Sequence, residues 1–125
     1  MKNILSTTAL AASLTFCGFA NAGTHIEEVF DCTVKDGKTM ADVNAANANW
    51  IKFVNKKVKG GGINSRAVTP LVGDFGGFVV VDSFPDLTSW VAMKAAMETK
   101  DGLKVEVALL DTADCSSNRL YSSTN

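Results

Sequence analysis

Histidine is nearly missing from this sequence: among 125 residues there is one, His25. It stands just behind the leader proposed below, where an N-terminal frayed position is the plain reading. Ser65, Ser83 and Ser89 therefore have no imidazole partner for nucleophilic work. Tyrosine also occurs once, as Tyr121, and proline twice. Neither sign of charge dominates, with 12 Lys and Arg against 13 Asp and Glu and a formal net charge of −1. Such a balance gives no pull toward nucleic acid or an anionic membrane. A lone His with few cysteines leaves no soft metal cluster, so no metal is expected. Gly60-Gly61-Gly62 lacks the lysine of a phosphate loop and reads as a helix stop. Asp74-Phe75-Gly76 matches a kinase magnesium motif, but the chain is far too short for a kinase, and a turn is the better reading.

What is present begins with a leader. Lys2 supplies a positive start, residues 4–20 are mostly apolar, and Ala20-Asn21-Ala22 is a small-x-small cleavage site. Ser6, Thr7, Thr8, Ser13 and Thr15 interrupt the apolar run, which is too short and polar for a stable span. An anchor helix is the weaker alternative. Residues 14–17 approximate a lipobox, but Phe16 occupies a position that needs a small residue. Residues 1–22 thus read as a signal peptide, residues 23–115 as one domain and residues 116–125 as a flexible, Ser/Asn-rich tail. The expected location is periplasmic or secreted, with no membrane attachment after cleavage.

Removal of the leader takes Cys17 with it and leaves Cys32 and Cys115. An even count in an oxidising compartment favours a disulfide over two free thiols. It would close most of the domain into one loop.

Residues 26–34 alternate with period two: Ile26, Glu28, Phe30, Cys32 and Val34 share one face. Glu27, Glu28 and Asp31 read as a solvated strand surface. A helix follows from Thr39, capped by Asp42, with Val43, Ala46, Trp50, Val54 and Val58 on one stripe. Asn44, Asn47 and Asn49 are odd residues for its interior. Residues 63–72 form a second strand, placed at a sheet edge by Pro70. Residues 78–84 form a third, apolar on both faces and so the expected centre of the sheet. A second helix spans about residues 87–100, with Leu87, Trp90, Val91, Met93 or Lys94, and Met97 on its inner stripe and Gly102 as its C-cap. Residues 103–111 alternate again and read as a fourth strand.

The order is β-α-β-β-α-β, a ferredoxin-like α+β fold: a four-stranded antiparallel sheet with two helices on one face. Val29, Val68, Val79, Val81 and Leu110 then populate the uncovered face. Such a surface asks for a partner, most simply a second copy, so a homodimer is expected.

The chain resembles the dimeric α+β barrel superfamily, which includes antibiotic-biosynthesis-type monooxygenases, haem-degrading enzymes, muconolactone isomerases and small stress-response proteins. Phe30-Asp31-Cys32-Thr33, followed by Gly37-Lys38-Thr39-Met40 and Asp42, also resembles the start of small secreted bacterial proteins of unknown function. The resemblance implies a ligand cavity between sheet and helices. The haem-degrading relatives use an Asn, Trp and His set, and the monooxygenases an Asn, Trp and Tyr set. Neither maps onto this sequence, because Trp90 falls on a helix and His25 and Tyr121 lie near the chain ends. No catalytic residue is assigned, and no cofactor is expected.

Trp50, Phe78, Asp82, Trp90 and Met93 are the candidate cavity residues, with ordinary core packing as the alternative. Asp82 shares a strand face with Val80 and Phe84, which turns it toward the helices. A carboxylate there needs a partner or a raised pKa. Three functions follow: binding of a small apolar ligand, cofactor-independent oxygenation or isomerisation of an aromatic or quinone-like substrate, or a structural and partner-binding role.

Overall fold

The computed structural model describes residues 24–73 and 76–124. The signal-peptide reading and the Asp74-Phe75 turn lie outside the described residues. The chain order is β1 (Thr24–Val34), α1 (Met40–Lys57), β2 (Asn64–Val68), β3 (Phe78–Phe84), α2 (Leu87–Met97), α3 (Lys100–Leu110) and β4 (Ala113–Thr124). The strands form one antiparallel sheet in the order β2-β3-β1-β4. This is the ferredoxin-like fold, with three helices in place of the expected two.

Local chemistry sets the boundaries of α1. Thr39 Oγ1 accepts from the Asp42 amide at 3.3 Å, and Asp42 Oδ2 accepts from the Thr39 amide at 2.8 Å. These reciprocal bonds satisfy free N–H groups of the first turn. At the other end Asn55 ties the chain down. Its Nδ2 donates to the Ile63 carbonyl at 2.7 Å, and its Oδ1 accepts from the Ile63 amide at 3.0 Å. The turn between them needs Gly60, Gly61 and Gly62, all at positive φ.

Two predicted elements change. Residues 103–111 are not a strand; 103–110 belong to α3 and Asp111 is its C-cap. Leu103, Val105, Val107 and Leu109 fit period two, but Val105 and Leu109 also sit one helical turn apart, and these pack against the core while Leu103 and Val107 are exposed. Thr99 caps the helix, its hydroxyl accepting from the Gly102 amide. Gly102 is therefore not a C-cap of α2 but a buried residue in the first turn of α3. A Cβ there would collide with the Ala96 carbonyl and the Met97 backbone. Leu110 accordingly sits on α3 and is not part of the open sheet face.

Residues 116–124 are not a loose tail. They form most of β4, paired with β1 from Thr24↔Thr124 to Val34↔Ala113, with a bulge at Asp31/Cys32. The ladder uses backbone groups, so the Ser/Asn composition does not prevent it. Side chains add to it: Ser117 Oγ and Arg119 Nη2 both meet Asp31 Oδ2 at 2.7 Å. Cys32 and Cys115, directly opposite across these strands, are joined by a disulfide.

The open sheet face carries Val29, Val68, Val79 and Val81, as alternation requires. It is less apolar than expected. Arg66 and Glu27 pair across it at 3.8 Å, and Arg119 pairs with Asp31. Val81, between Val29 and Arg66 in the ladder, is only 9% exposed within one chain. Val68 at the edge is exposed.

Candidate functional site

The core divides into two clusters. Ile26, Trp50, Val54, Phe84 and Met93 belong to the first; Cys32, Val43, Phe78 and Ala113 form the second. Between them a cavity of about 280 Å³ remains under the helices. Its wall is mostly apolar, with Phe30, Trp50, Phe78, Val80, Met93, Met97 and Leu109 among the lining residues. Asn47, Lys94, Glu106 and Thr112 are its polar members. A concave, mostly apolar space with a few polar groups is the usual form of a small-molecule site.

Beside the cavity lies a buried carboxylate pair. Glu28 and Asp82 are directly opposed in the β1–β3 ladder, on the helix-covered face, and are 2% and 7% exposed. Glu28 is therefore not a solvated strand residue. Three donors surround it: Trp90 Nε1 at 3.0 Å to Oε2, Lys94 Nζ at 2.8 Å to Oε1, and Asn118 Nδ2 at 3.0 Å to Oε1. Lys94 also lies 5.4 Å from the Trp90 ring centroid, within cation–π range. A buried carboxylate needs this degree of compensation.

Asp82 is served less generously. Ser65 Oγ donates to its Oδ1. Burial first, and the charge of Glu28 after it, push its carboxyl up to about 7, against the Ser65 hydrogen bond and the Lys94 charge. The pair thus holds one carboxylate paired with a cation and one carboxyl that changes protonation near neutral pH.

A second hollow of about 480 Å³ is a surface groove beside the disulfide, bordered by Asp31, Pro70, Gly77 and Asp114. Its acidic groups are engaged, Asp31 by Arg119 and Asp114 by Lys35 at 3.3 Å. Phe78 and Cys115 border both spaces, so the disulfide stands in the wall between groove and cavity.

Solved structures share this architecture. SnoaB, a cofactor-independent oxygenase from Streptomyces nogalater, is similar with a TM-score of 0.59 at 14% identity, over 81% of this chain and 94% of that one. The shared fold is the ferredoxin-like α+β fold. A candidate antibiotic biosynthesis monooxygenase from Caulobacter crescentus is similar with a TM-score of 0.53 at 13% identity, over 83% and 92% of the two chains. A dimeric ferredoxin-like protein of unknown function from Thermobifida fusca has a TM-score of 0.50 at 12% identity, over 82% and 92%. No family model matches the sequence, and no curated protein matches it. At such identities the likeness shows the ferredoxin-like fold and carries no residue roles.

Within that fold, Trp50, Phe78 and Met93 meet at the cavity wall. Asp82 and Trp90 do not line it: Asp82 stands opposite Glu28 on the helix-covered sheet face, and Trp90 reaches the Glu28 carboxylate from α2. Sequence reading did not place Glu28, Lys94 or Asn47 at the site, although it had Lys94 as an alternative on the inner stripe of the second helix and Asn47 as an odd residue of the first. The signal for Glu28 was its place on the apolar face of β1, between Ile26 and Phe30. That for Lys94 was its spacing of four from Trp90 on α2.

Proposed function

We propose that this chain is an exported, homodimeric oxygenase that works without a cofactor on a small aromatic molecule bearing an acidic hydroxyl or methylene. One observation carries the reading: a mostly apolar cavity with Lys94 among its lining residues, the Lys94 ammonium being tied to the buried Glu28. An ammonium at the edge of a mostly apolar space can pair with an anionic form of the substrate. An electron-rich phenolate or enolate can give electrons to dioxygen directly. For a ring methylene the balance is R₂CH₂ + O₂ → R₂C=O + H₂O. The protein's part is to confine the substrate, favour the anion and keep water out. The likeness to SnoaB supports this reading at the level of fold.

A second reading, binding without turnover, is favoured by the saturation of Glu28. With three donors already on it, that carboxylate resembles a structural anchor.

Export is supported by the leader-like start and by the Cys32–Cys115 bridge. The homodimer is supported by the uncovered sheet face around Val29 and Val79 and by the dimeric Thermobifida protein of the same fold. Oxygen-electrode assays with anthrones and hydroquinones separate enzyme from binder. The oxygenase reading expects uptake matching substrate loss one to one, and its loss in Lys94→Met. A rate equal to that of buffer leaves the binding reading.

A further inference from the structure

One buried polar residue of α1 has no side-chain hydrogen bond within the described residues. Asn47 lies in the buried stripe of the helix with Val43, Ala46, Trp50 and Val54. It is 8% exposed and borders the cavity. Asparagine weakens a helix interior, because its amide competes for the backbone. A buried amide without a partner is destabilising as well.

Among the described residues, none hydrogen-bonds to the Asn47 side chain. Among the described residues, every side-chain nitrogen or oxygen wholly sealed from solvent has a partner. The Asn47 amide therefore keeps access to open space, and the open space beside it is the cavity. Asn55 on the same helix shows the contrast, since its amide is engaged with Ile51 and Ile63.

We propose that the Asn47 amide selects the cavity's ligand by pairing with a neutral hydroxyl or carbonyl on an otherwise apolar aromatic molecule. This rests on the cavity being the ligand site and adds which chemical edge of the ligand is read there. An amide offers an acceptor, Oδ1, and a donor group, Nδ2, so it suits a phenol or a hydroxyl beside a carbonyl. A hydrocarbon of the same shape leaves it unpaired and is rejected. Lys94 is the group suited to an anionic oxygen, which leaves the neutral edge to Asn47.

The test uses the whole mature protein and two probes of matched shape, 1-naphthol and 1-methylnaphthalene, titrated by tryptophan fluorescence with Trp50 in the cavity wall. Wild type should prefer the naphthol. Asn47→Leu, which keeps the branched shape, should lower that preference at least tenfold while the melting temperature holds or rises. Asn47→Ala gives the same reading if the larger side chain disturbs folding. An unchanged preference in a folded variant, with both probes still bound, overturns the Asn47 assignment and leaves the cavity reading standing. Failure of wild type to bind either probe removes both.

Discussion

Glu28 and Asp82 face each other across the β1–β3 ladder, and both turn inward under the helices. Two neighbouring buried carboxylates cannot both carry charge cheaply. The surroundings divide them: Glu28 takes Lys94, Trp90 and Asn118, while Asp82 keeps a hydroxyl donor and rises to about 7.

A pH dependence follows from that division. In the unfolded chain Asp82 ionises at the ordinary 3.8, and in the folded chain at about 7. Between those values the folded state holds the extra proton, so stability falls as pH rises through that window and the penalty is complete above it. Its size is on the order of a few kcal/mol. Asp82→Asn should raise the melting temperature at pH 8 and flatten the decline between pH 4 and pH 7. Thermal melts across that range check it; a parallel slope in the variant counts against the assignment.

The Glu28–Lys94 bond gives a second expectation. Lys94→Met leaves a buried carboxylate with only neutral donors. Since the Lys94 side chain is 42% exposed, the loss should be about 2 kcal/mol, below the range for fully buried pairs. Glu28→Gln should be milder, because the side-chain carbonyl still accepts from Trp90. Urea unfolding of both variants measures the order.

The disulfide closes a loop with a sequence separation of 83 and pins β4 to β1. Reduction should remove about 4 kcal/mol in the chain-entropy model. Melts with and without reductant, together with the two-dalton mass difference of the bridge, test this.

Gly102 lies where α3 starts against the end of α2. Gly102→Ala forces those backbones apart and should destabilise by about 1–3 kcal/mol, although alanine is the better helix former. A neutral or stabilising result would mean that the two helices are not so closely apposed.

Much of this architecture was legible in the residues. Period two in residues 26–34, the Thr39/Asp42 cap and the stripe through Val43, Trp50 and Val54 each had one reading, and the elements follow it. Residues 103–111 had two readings, because alternate apolar residues also include pairs one helical turn apart. Burial on one side of α3, which decides between them, depends on contacts with α1 and α2. β4 was hidden for another reason. Serine and asparagine carry little strand signal, and its ladder to β1 rests on backbone groups and on a cysteine far away in sequence. The site shows the same division. The inward direction of Asp82 follows from alternation with Val80 and Phe84. The charge of its ladder partner Glu28 suggested solvent, and its burial is explained by the Lys94 and Trp90 contacts from α2 and the Asn118 contact from β4.

The central claim is that the space between the two core clusters receives the ligand. Methionine methyl NMR tests it most directly, because Met93 and Met97 line that space while Met40 packs against the second cluster without bordering the cavity. On titration with an anthrone under anaerobic conditions, the Met93 and Met97 methyl signals should move together and saturate, with Met40 unchanged. Unmoved Met93 and Met97 signals at concentrations that support oxygen uptake would place the chemistry elsewhere and contradict the account.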